Sequence, residues 1–323
     1  MKLDTLVRHL SDPKRLGLTP ALAIRFGLEE PELVRGRLLA QIEQGRGHLG
    51  VYLLAIYVVD DTDFWGDGEI YWWSIPALVD AAGKTRKDAL GGLPLGEPPH
   101  KCGDHEWLTN VSLQDPPLLA VIPPDDTVSS CVIRLGIYDD DGDVADLPTA
   151  MKAGLEALAD LPNEPLAGPD RLIAPVRDAI FKRLKADDDD ILLDQEVPIR
   201  RGEVTRFGCG MVGAVINAMA RVYTFVRDEA TTQQFGPISL EKGQHEKLRF
   251  DVPMQQGGRL AVFARGADVT CPALGDLSCD APFKNRVLNP AQERDFATGV
   301  DVIGTGPAKL VAFYTPGVTP TGS

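Results

Sequence analysis

The sequence predicts a mainly β protein. It has two antiparallel β-sandwiches, the second smaller, with a helical segment before the first and a helical insertion within it. Three observations carry this. Short runs rich in β-branched and aromatic residues recur along the chain, each closing on Asp, Gly or Pro, as antiparallel strands do. Two stretches with helical periodicity interrupt them in the middle of the chain. A polar, turn-prone segment, ATTQQFGP at 229–236, separates the earlier strands from the later ones.

Residues 1–46 read as helical. Leu3, Leu6, Val7 and Leu10 lie on one face, and Pro31 opens PELVRGRLLAQIEQ, where a proline's missing donor costs nothing. This segment suits packing across a sheet or mediating association, so a homo-oligomer is among the assemblies the sequence admits. From residue 47 to 230 the first sandwich follows, through LGVYLLAIYVVDD, EIYWWSI, LLAVI, CVIRLGIYDDD, ILLDQEVPIRR and ARVYTFVRDE. The insertion, about 147–186, carries Leu147, Met151, Leu155 and Leu158 in one helix and Leu172, Val176, Ile180 and Leu184 in the next. Residues 231–323 hold ISL, KLRFDVP, RLAVFARG and GVDVIGTGPAKLVAFYTPG, the strands of the C-terminal sandwich. GTGP at 304–307 precedes a strand and is read as a turn, not as a phosphate-binding loop.

Charge narrows the partners. The formal net charge is −14, which repels phosphate backbones, so nucleic acid is excluded as a natural partner. It also repels anionic lipid unless bound cations reverse the sign locally. No apolar stretch is long enough to span a bilayer. The start, MKLDTLVRHLSDPKRLGL, lacks the apolar core of a secretory signal, so the expected location is cytoplasmic, with signal-independent export left open. Cys102, Cys131, Cys209, Cys271 and Cys279 show no zinc-like pairing and are read as free thiols.

The outstanding chemical feature is acidic. DDTDFWGDGE supplies Asp60, Asp61, Asp63, Asp67 and Glu69. YDDDGDVAD supplies Asp139, Asp140, Asp141, Asp143 and Asp146, and ADDDDILLD supplies Asp187 to Asp190 and Asp194. Each cluster adjoins an apolar strand, and strand ends far apart in sequence meet in space. Packed carboxylates repel, and a cation removes that cost. Calcium suits such loops because it takes six to eight oxygens in a flexible shell; zinc's nitrogen and sulfur ligands are missing from them. Single aspartates are also common turn and capping residues, and Asp146 has that role open to it before the helix that follows.

Over about residues 49–228 the chain resembles the C2 domain, a calcium-dependent, often phospholipid-binding β-sandwich. Asp61 and Asp67 are separated by five residues and followed by the aromatic strand GEIYWWSI. Asp139 and Asp141 form Asp-x-Asp after CVIRLGIY, and Asp189-Asp190 precede two aliphatics and a new strand. The resemblance implies a C2-like sandwich whose calcium ligands are Asp61, Asp67, Asp139, Asp141, Asp189 and Asp190; Asp60 and Asp146, from the same acidic clusters, join them as candidate metal ligands.

The remaining candidates are weaker. Cys102, Asp104, His105 and Glu106 in KCGDHEW are read as an exposed loop before a metal or catalytic cluster. Ser129 and Ser130 lack a nucleophile-elbow context. Of the consecutive Trp72 and Trp73, one is expected in the core and the other more exposed, because neighbours in a strand face opposite ways; packing under the inserted helices is the favoured use of the pair. The apolar run CGMVGAVINAMARVYTFV is expected to be a buried helix or strand pair rather than a membrane-inserting segment. The leading expectation is a non-enzymatic Ca2+-binding protein. The alternatives are a toxin-like or interaction protein binding a phospholipid surface or a glycan, and a metal-dependent hydrolase using a metal-bound water at the same carboxylates.

Overall fold

The computed structural model describes Val7 and residues 31–43, 48–61, 67–87, 93–123, 128–140, 147–184, 190–200, 209–228, 231–266, 268–289 and 294–317. These residues are mainly β, in four antiparallel sheets with few helices. Among the described residues a helix, α1 (Pro31–Glu43), precedes the strands.

The early apolar runs are strands because each finds an antiparallel partner in one of two sheets. In the first sheet, β1 (Leu49–Val58) pairs on one side with β10 (Ala220–Asp228), which pairs with β9 (Cys209–Ile216). The run expected as a buried helix or strand pair is therefore the β9–β10 hairpin. On its other side β1 pairs with β6 (Leu118–Ile122) and, nearer its end, with β5 (Glu106–Trp107). In the second sheet, β2 (Gly68–Asp80) pairs with β7 (Val128–Asp139), which pairs with β8 (Asp190–Arg200). The opposite edge of β2 carries β3 (Thr85–Arg86) and β4 (Leu95–Cys102).

The two sheets bury a shared core, with Val51, Leu53, Ile56 and Val222 from the first facing Ile70, Trp72, Ile133 and Ile137 from the second. The outer face of the second sheet is covered by α2 (Leu147–Asp160) and α3 (Asp170–Leu184). Their stripes, Leu147, Met151, Leu155 and Leu158 in α2 and Leu172, Val176, Ile180 and Leu184 in α3, are all buried, as the periodicity predicts. Asp194, counted among the acidic clusters, is committed elsewhere: Arg134 donates to it from Nε at 2.6 Å and from Nη2 at 2.7 Å.

This helical layer corrects the expected exposure of the tryptophans and bears out packing under the inserted helices for Trp73. Trp72 does point into the inter-sheet core, but Trp73 on the opposite face is also fully buried. Strand β2 is an interior strand on both faces, so it shows no polar alternation. Trp73 lies over its ladder partner Gly136 and meets Phe181 of α3 edge-on, with ring centroids 5.6 Å apart.

The later strands form a second pair of sheets. One contains β11 (Gln233–Leu240), β18 (Ala308–Thr315), β13 (Arg259–Gly266) and β16 (Phe283–Val287) in that order. The other contains β12 (His245–Arg249), β17 (Gly299–Gly304), β14 (Val269–Cys271) and β15 (Gly275–Leu277). They enclose their own core, including Leu248, Leu260, Val262, Val302 and Leu310. The outer faces of the β1 and β18 sheets then meet, with Leu54, Tyr223 and Phe225 against Phe263, Val311 and Phe313. Phe225 and Phe313 stack at 4.0 Å between centroids. The layers thus run from helices through four successive sheets. No helix among the described residues is long and apolar enough to cross a membrane.

Candidate metal centre

The strand directions bring several acidic segments to one end of the first two sheets. There β1 ends and leads to Asp60 and Asp61, β2 begins at Gly68, β4 ends at Cys102, and β7 ends at Asp139 where β8 begins at Asp190. The ladders fix this: Gly68 pairs with Cys102, and Asp139 lies between Ile70 and Asp190.

Gly68 is the hub. Its N–H donates to Asp61 Oδ2 at 3.0 Å, in the interior. A Cβ on Gly68 would sit 2.7 Å from Asp139 Oδ2, so the Asp139 carboxylate fills the space a side chain would need. Asp139 is held by the Glu69 N–H, which donates to its Oδ1 at 2.9 Å. Asp61 and Asp139 are both buried, from opposite sheets. Burying carboxylates is costly without compensating donors or a cation, and both carboxylates are pinned here by backbone N–H groups.

A turn between β4 and β5 closes the arrangement. The Asp61 N–H donates to Asp104 Oδ1 at 2.9 Å. One carboxylate oxygen from each of Asp60, Asp61 and Asp104 lies within 4.8 Å of the others. Asp67 reaches the same turn, its Oδ1 being 3.0 Å from where a Gly103 Cβ would stand, and Gly103 N–H donates to Glu106 Oε2 at 3.3 Å. His105 takes a left-handed φ of 58° in this turn, a conformation in which His is over-represented among non-glycine residues.

The donor set is all carboxylate. A carboxylate offers about four lone-pair positions, so the backbone bonds that orient Asp61 and Asp104 do not by themselves fill their acceptor capacity. This fits calcium's preference for several oxygens in an irregular shell. Sulfur does not compete: burial, then Glu106, Asp61 and Asp67, push the Cys102 thiol up to about 12, so it is a neutral core side chain at physiological pH.

Of the residues the sequence singles out, the structure brings together Asp60, Asp61 and Asp67, with Asp139 against Gly68. Asp190 sits across the ladder from Asp139 and is exposed. Asp141, Asp146 and Asp189 lie outside the described residues. Asp104 and Glu106 were read as an exposed loop, and the structure adds them to the cluster; exposed they are, but their turn is seated against Asp61. The legible signal was KCGDHEW itself, two acids beside a buried Cys, but nothing in it reveals that the β4–β5 turn abuts the end of β1.

No protein-family model matches the chain, and no curated protein is significantly similar to it. Among solved structures it is similar to human GIVD cytosolic phospholipase A2 in complex with methyl gamma-linolenyl fluorophosphonate inhibitor and terbium chloride, at 9% identity and a TM-score of 0.26. It is similar also to that enzyme in complex with the fluorophosphonate alone, at 9% and 0.25. Each match covers 84% of this chain and 32% of the phospholipase, so the chain spans about a third of that protein's length. A likeness of this size does not establish a shared fold.

Proposed function

We propose that this is a non-enzymatic calcium-binding protein, with a C2-like pair of sheets carrying the ion at one end. The observation that supports it is the meeting of Asp60, Asp61 and Asp104 oxygens within 4.8 Å, with Asp67 over the same turn and Asp139 one glycine away. Asp60, Asp61 and Asp104 would hold the ion, and Asp67, Glu106 and Asp139 would complete or orient the shell. The ion would supply positive charge that removes the repulsion among these groups, so its first role is structural: it locks the ends of β1, β2 and β7 and the β4–β5 turn together.

Thermal melts in calcium, in magnesium and in chelator test this. A ligand that binds only the folded state adds about 2.7 kcal/mol at a hundred times its dissociation constant. Calcium should therefore raise the melting temperature steadily with its logarithm. Magnesium, which demands a small octahedral shell, should do much less. Identical melts in all three conditions would remove the reading.

One observation favours a calcium-dependent encounter with a phospholipid surface as a further use of this end. Ile191 is 60% and Ile216 59% exposed. Ile191 follows Asp190 in β8, and Ile216 leads into the hairpin whose Met219 carbonyl accepts the Asp60 N–H. The β8 and β9–β10 edges are joined by Asn217 Nδ2 donating to Leu192 O at 2.7 Å, so both isoleucines flank the carboxylates. Neutralised acids beside exposed apolar side chains suit an anionic bilayer. Sedimentation with phosphatidylserine vesicles should then require calcium and weaken in Ile191→Ser plus Ile216→Ser; pelleting that ignores calcium would count against it.

A further inference from the structure

Glu106 and Asp104 belong to a turn whose far side is held by the C-terminal pair of sheets. Strand β5 follows directly, pairing Trp107 with Tyr57 and Glu106 with Val58, and Leu108 N–H donates to Ile56 O at 2.9 Å. Those contacts are within the first unit. Trp107 itself is gripped by the second: its ring meets Phe263 of β13 edge-on at 5.8 Å, and the Arg265 guanidinium lies over it at 5.7 Å. Tyr57 and Tyr223 pack around the same indole at 4.8 and 5.9 Å. Arg265 Nη2 also donates to the backbone carbonyl of Val111 at 2.9 Å, beyond β5.

Arg265 is an expensive residue to place here. Burial lowers its pKa, and its Nε is buried without a hydrogen-bond partner. A guanidinium held this way at a contact between two units costs desolvation that its one carbonyl bond does not fully offset. Packing on Trp107 and holding segment 103–111 are what the position provides in return.

We infer that Phe263 and Arg265 of the C-terminal unit are positioning residues for the acidic turn, so that the carboxylate cluster is complete only while these two side chains grip Trp107. This deepens the calcium reading above and rests on it for the ion, although the tether itself is a property of the ion-free chain. The grip on Trp107 and ion binding are then linked: whatever loosens one loosens the other by the same factor.

The test uses the full chain and two variants. Arg265→Met keeps the packing of the stem and removes the guanidinium; Phe313→Leu disturbs the same contact between units, at the stack with Phe225, away from the acidic turn. Simple electrostatics and the tether predict opposite signs. The Arg265 guanidinium lies over Trp107, the residue that follows Glu106, and so repels a cation in the acidic turn; deleting its charge alone would tighten binding of a cation. The tether predicts that Arg265→Met weakens calcium binding by about tenfold, a typical coupling between linked sites, with Phe313→Leu near wild type. In chelator, amide hydrogen exchange at Asp61 and Leu108, whose N–H groups bond to the turn and to β1, should quicken by a similar factor in Arg265→Met only. Tighter or unchanged binding in Arg265→Met, or unchanged exchange at these amides, overturns the inference. If wild type binds no calcium, the calcium reading falls by itself, and the exchange comparison still decides the tether.

Discussion

Replacing Asp61 and Asp104 together by Asn is expected to weaken calcium binding by at least about 100-fold, because ligand charge count sets the affinity of such sites. In chelator the double variant should melt at or slightly above the wild-type temperature. The two expectations follow from one geometry. Asp61 Oδ2 accepts the Gly68 N–H, and Asp104 Oδ1 accepts the Asp61 N–H; an Asn side-chain oxygen can accept each of these bonds. What is lost is negative charge, which attracts the cation when it is present and repels Asp60 and Asp67 when it is not. Calorimetric titration and melts on the same samples check both halves. A variant that still binds like wild type would place the ion elsewhere. A variant that fails to fold in chelator would mean that these carboxylates hold the strand ends together by hydrogen bonds that the amide cannot replace.

The second large effect is on stability. Gly136→Ala would put a Cβ 2.4 Å from Cε2 and 2.5 Å from Cζ2 of the Trp73 indole. Trp73 cannot retreat, since α2 and α3 close over it and Phe181 meets its ring. Overpacking of a tight core costs about 1–3 kcal/mol and sometimes more, and this site belongs at the upper end. Denaturant unfolding of Gly136→Ala should show that loss, and adding Trp73→Phe should return part of it, because the smaller ring vacates the space the methyl needs. Losses that merely add would show that the indole does not set the constraint. The same variant should leave calcium affinity nearly intact, since Gly136 faces the helices and not the acidic end.

Much of this architecture was readable where one face of an element is wet. The stripes of α2 and α3 repeat with helical period because their outer sides meet solvent, and the strands around Leu49, Ile133 and Leu310 stand out as apolar runs between turns. The failures share a cause. Trp72 and Trp73 were assigned different exposures because a strand was assumed to have one solvated face, yet β2 is covered on both sides. Strand β4, LGEPPHKC, carries two prolines and little apolar content, and it survives as an edge strand beside β2. Missing that strand hid where it ends, and with it the position of Asp104. The acidic residues themselves were visible; their meeting depends on which strand ends lie at the same end of the sheets, and pairings such as Ile70 with Asp139 join residues distant in sequence. The grip of Arg265 on Trp107 is of the same kind, a contact between units that no local pattern announces.

Direct calorimetric titration of the chelator-treated full chain with calcium tests the central claim most simply. Saturable heat, with a stoichiometry of one or a few ions and its loss in Asp61→Asn plus Asp104→Asn, is the predicted result. No heat up to several millimolar calcium, past the upper end of the range in which weak calcium sites fill, would contradict it; the carboxylates around Gly68 would then be held by protein contacts without an ion.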